Sequence, residues 1–85
     1  SMLNVAVIGY VWPEPNSSAA GQNMLAIIKR CLSADFHVTF LTAATDSDHK
    51  EDLTALGVDM HSVALNCSSF NSQIAHIKPD VVIFD

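Results

Sequence analysis

Positive charge is scarce in this chain of 85 residues: four Lys and Arg stand against nine Asp and Glu, for a formal charge of -5 at pH 7. With no basic cluster, a phosphate backbone is repelled, so nucleic acid is not an expected partner. Long apolar runs are lacking too. The apolar stretches, such as Val5 to Ile8 and Val81 to Phe84, are far short of the roughly 20 residues needed to span a bilayer, and no membrane span is expected. Only two cysteines occur, Cys31 and Cys67; they have no CxxC spacing, and no cationic leader precedes an apolar segment and cleavage site. The expectation is a cytoplasmic protein with two free thiols. Ser1 reads as a vector-derived residue ahead of a native initiator Met2, and the far end reads as truncated. Disorder is excluded by composition, since hydrophobic residues make up 49% and charged residues 15% of the chain. The length suits one small domain and rules out most complete enzymes.

What is present alternates between two periodicities. Leu3-Asn4-Val5-Ala6-Val7-Ile8-Gly9 is apolar on both faces and rich in β-branched residues, the pattern of a strand covered on both sides in a parallel sheet. Pro13 and Pro15 then impose a loop. After Asn16, Ser17 and Ser18, which offer capping oxygens, the apolar residues Ala20, Met24, Ile27, Ile28 and Cys31 recur at helical steps. This predicts a first helix over residues 18–33.

The same alternation continues to the end. A second strand is read over residues 36–42, then a polar break at residues 46–48 and a second helix carrying Leu53 and Leu56, ended by a left-handed Gly57. A third strand is read from Val58 to Leu65. A third helix, capped by Ser68 or Ser69, carries Phe70, Ile74 and Ile77 and stops at Pro79, and a fourth strand covers Val81 to Phe84. The βαβαβαβ order predicts an α/β fold with a parallel four-stranded sheet in the order 3-2-1-4. That is a Rossmann-like three-layer half-domain, with the first two helices on one face and the third on the other. Residues 1–85 are taken as one truncated domain of this kind. Truncation would leave the side chains of the first and fourth strands facing water on one side, and would leave Val81 to Phe84 as a bare apolar edge through which a homo-oligomer is expected.

A ligand on such a sheet belongs beyond the carboxyl ends of the first and fourth strands, where the first loop meets the positive end of the first helix. That loop has Gly only at Gly9 and Gly21, so it carries neither a GxGxxG fingerprint nor a P-loop. No cofactor is expected. His37, His49, His61 and His76 lack metal-ligand spacing and read as half-exposed, with no metal site. Asp46, Asp48, Glu51 and Asp52 read as a solvated start to the second helix. Asp85, at the end of the last strand, is the one carboxylate placed near the presumed cleft, and no catalytic residue is assigned. Trp12 is read either as an exposed platform for stacking a sugar or as an anchor for its loop.

The run from Val7-Ile8-Gly9 through Trp12-Pro13-Glu14-Pro15 to Ser17-Ser18-Ala19-Ala20-Gly21 resembles the N-terminal segment of GT-B glycosyltransferases of the group 1 type. Leu56-Gly57-Val58 and Lys78-Pro79-Asp80-Val81-Val82-Ile83-Phe84-Asp85 resemble the same domain at a later turn and strand, so the likeness covers almost the whole chain. The resemblance implies a two-domain transferase whose first domain holds the acceptor and whose second holds a nucleotide-sugar, with catalysis between them. This chain matches about half of the first domain and would be inactive alone. Gly21 matches the glycine that lets a ligand approach the first helix, with Ser17 and Ser18 beside it. One Gly stands where the commoner pattern has a pair. The candidate substrate- or phosphate-binding residues are therefore Gly9, Trp12, Ser17, Ser18 and Gly21. The alternative from another class is a stand-alone α/β binding or self-assembly module without catalysis. A receiver domain is disfavoured, because the first strand leads into Gly9-Tyr10 and not into an acidic pair.

Overall fold

The computed structural model describes residues 2–9, 12–13, 18–44, 50–63 and 68–84. Seven elements alternate along them: β1 (Asn4–Gly9), α1 (Ala19–Ser33), β2 (His37–Thr42), α2 (Lys50–Ala55), β3 (Asp59–Ser62), α3 (Ser68–Ile77) and β4 (Val81–Phe84). The sheet is wholly parallel and runs in the order β3-β2-β1-β4, the Rossmann-like half-domain that the alternation predicts.

Strand faces decide where each helix lies. Val5 and Val7 of β1, with Val38 and Phe40 of β2, share one core with Met24, Ile28 and Cys31 of α1 and Leu53 of α2. Ala6, Ile8 and Leu41 point the other way and pack with Val63 and with Phe70, Ile74 and Ile77 of α3. Alternation of side chains in β1 thus feeds both layers.

The expectation that β1 would face water on one side is corrected here. Its residues Val5, Ala6, Val7 and Ile8 are all buried, because the crossover from β3 at one edge to β4 at the other carries α3 across the middle of the sheet. β4 stays open: Val81, Val82 and Phe84 are 44%, 38% and 72% exposed.

Each helix ends on a residue in the left-handed region. Gly57, at φ +88°, closes α2 as expected: its N–H donates to Thr54 O at 3.0 Å and that of Val58 to Leu53 O at 3.2 Å, with Val58 and Leu53 both buried in one cluster. This is the Schellman arrangement. α1 ends in the same way without glycine. There Asp35, at φ +63°, donates to Leu32 O and Phe36 to Cys31 O, both at 3.0 Å. α3 ends on Lys78, at φ +53°, whose N–H donates to Ile74 O at 3.0 Å before Pro79 prevents continuation.

Two boundaries differ from expectation. Ser68 and Ser69 lie inside the first turn of α3, not before it. β3 is shorter than residues 58–65 because its partner β2 ends at Thr42, opposite Ser62; one more bond, Val63 N–H to Thr42 O at 3.0 Å, closes the pairing. Leu65 lies outside the described residues. Among the described residues no helix is long and apolar enough to cross a membrane.

Candidate functional site

β1 is a central strand, and its carboxyl end at Gly9 is buried beside Thr42 of β2. The chain leaving it is pinned almost at once. Trp12 is only 9% exposed and Pro13 is fully buried, and the Trp12 and Phe40 rings lie 5.5 Å apart at a tilt of 52°. A tilted contact at this distance is favourable beyond the area it buries. Of the two roles open to Trp12, the ring occupies the anchoring one: it belongs to the α1-side core and presents little surface for a sugar.

Across the loop, Ser18 starts α1. Its backbone is extended (φ -148°, ψ 153°), and its Oγ accepts the Gly21 N–H at 2.9 Å, the bond of an N-cap. Its carbonyl accepts the first intrahelical bond, from Gln22 N–H at 3.0 Å. Gly21 is buried and opens a stripe continued by Met24, Ile28 and Cys31. The Ala19 and Ala20 N–H groups come earlier in that turn and have no partner within the helix. The first turn holds no acidic residue, so nothing there offsets the partial positive charge of the helix end.

Gly9 ends β1 and Ser18 and Gly21 begin α1, the two ends of one connection along the chain, with Trp12 between them held in the core. Ser17 lies outside the described residues, as do Asp46, Asp48, His49, Cys67 and Asp85. Glu51 and Asp52 occupy the first turn of α2. His37 is half-buried, and its Nε2 lies 2.8 Å from Asp59 Oδ2. These residues open β2 and β3, at the end of the sheet opposite to the start of α1. His61 and His76 are exposed. Among the described residues no group of His, Cys, Asp or Glu is placed to hold a metal ion, and Cys31 is a free, buried thiol.

Two further residues shape this end of the sheet. Thr42 is buried, and its Oγ1 accepts the Ala44 N–H at 3.1 Å, turning the chain as it leaves β2; Thr at a strand end is the signal for such a turn. Pro13 is the other, and nothing in its composition separates a buried loop proline from an exposed one. A surface hollow of about 490 Å³, lined by Met2, Leu3, Ala34, Asp35 and Phe36, lies at the opposite end of β1. Against known proteins, the chain matches no family model, no curated protein and no solved structure.

Proposed function

We propose that this chain is the opening, acceptor-side part of a GT-B glycosyltransferase, inactive alone, which offers the start of α1 to an acceptor or to a phosphate of a nucleotide-sugar donor. Transfer of the sugar would need a second, donor-binding domain. One observation carries the reading: an N-capped helix start, free of carboxylates, stands beyond the carboxyl end of the central strand β1 in a 3-2-1-4 sheet. Anions bind at helix starts so placed. The resemblance of the loop from Gly9 to Gly21 to the group 1 pattern supplies the reaction class. A cytoplasmic location belongs to the same reading.

The chemistry left to these residues is binding. Backbone N–H groups at Ala19 and Ala20 would donate to phosphate or sugar oxygens, and Ser18 would hold the turn through the Gly21 N–H. Stabilising the departing nucleoside diphosphate would fall mainly to the second domain.

The test is a titration of the chain with uridine diphosphate sugars, inorganic pyrophosphate and a simple oligosaccharide, followed by amide NMR. Shifts should appear first at Ala19 and Ala20, then at Ser18 and Gly21. Shifts confined to the starts of α2 or α3 would overturn the site, and sugar transfer by the purified chain would overturn the incomplete-enzyme reading.

A further inference from the structure

We draw no further inference here: the strongest candidate, the surface hollow lined by Met2, Leu3, Ala34, Asp35 and Phe36 at the end of the sheet where β1 begins, is an open, largely apolar face, and nothing in the structure shows what covers it.

Discussion

Asp80 grips Asn4 at both polar groups of its backbone. The Asp80 N–H donates to the Asn4 carbonyl at 2.7 Å, and the Asp80 carboxylate accepts the Asn4 N–H at 2.8 Å. Residues 76 positions apart are thereby locked where β1 and β4 begin, and the parallel register from Val5 opposite Val81 follows directly. The pair is exposed, so water competes for both groups. Asp80→Ala should cost about 1 kcal/mol, near the mean for one hydrogen bond, whereas Asp80→Asn keeps an acceptor and should cost less than half of that. Urea unfolding of the two variants at low protein concentration checks the order.

Ser18 makes a local bond of the same type, at the candidate site. Its Oγ satisfies the Gly21 N–H, which the helix itself cannot. Ser18→Ala should destabilise the chain by about 1 kcal/mol, and Ser18→Asp should recover that loss because a carboxylate also caps and favours the helix dipole. The two variants part at the ligand: Ser18→Asp places negative charge where an anion would sit. Pyrophosphate shifts at Ala19 and Ala20 should persist in Ser18→Ala and disappear in Ser18→Asp.

Burial assigns Trp12 a structural role, and truncation measures it. Trp12→Ala removes a ring packed on Phe40 within the larger core and should cost about 3 kcal/mol or more, whereas Trp12→Phe keeps an aromatic contact and should cost less. If the ring instead served to stack a sugar, Trp12→Ala would weaken acceptor binding with little loss of stability. Thermal unfolding and oligosaccharide titration of both variants distinguish these roles.

Much of this architecture is legible in the residues, for physical reasons that also mark where legibility ends. β-branched runs alternating with three- and four-residue apolar steps give all seven elements and the sheet order, because each pattern has its own period. Gly57 announces its turn, since glycine alone enters the left-handed region without steric cost. Asp35 and Lys78 adopt that region as well, yet nothing in their composition says so: a helix that must turn back onto its sheet there imposes the geometry on whatever residue it meets. Trp12 is ambiguous in sequence because an indole suits both a wet loop and a core. The length of β3 is invisible locally because it is set by the end of β2. At the candidate site, the cap at Ser18 is readable from the residues before an apolar stripe, and the side on which Gly21 faces becomes clear only when Met24, Ile28 and Cys31 are seen to share it.

Asp35 is the position where the fold is most open to improvement. It stands at φ +63°, where a side chain crowds the backbone at about 1 kcal/mol or more for most residues, and less for Asp and Asn. It also sets a negative charge just past the carboxyl end of α1, where the helix dipole opposes it by about 0.3–1 kcal/mol when exposed. The capping bonds on either side, Asp35 N–H to Leu32 O and Phe36 N–H to Cys31 O, come from the backbone and survive any change of side chain. Asp35→Gly removes both penalties and adds only the greater freedom of glycine in the unfolded chain. The net expectation is a gain of about 1 kcal/mol, or a Tm higher by about 4–8 °C for a domain of this size. Asp35→Asn removes the charge alone and should gain about half as much. Asp35→Ala removes the charge but puts in a residue that enters the left-handed region less readily than Asp, and should gain nothing. Thermal melts should give the order Gly, Asn, Ala; an Ala variant as stable as the Gly variant would mean that the charge, and not the backbone angle, is what costs stability at this turn.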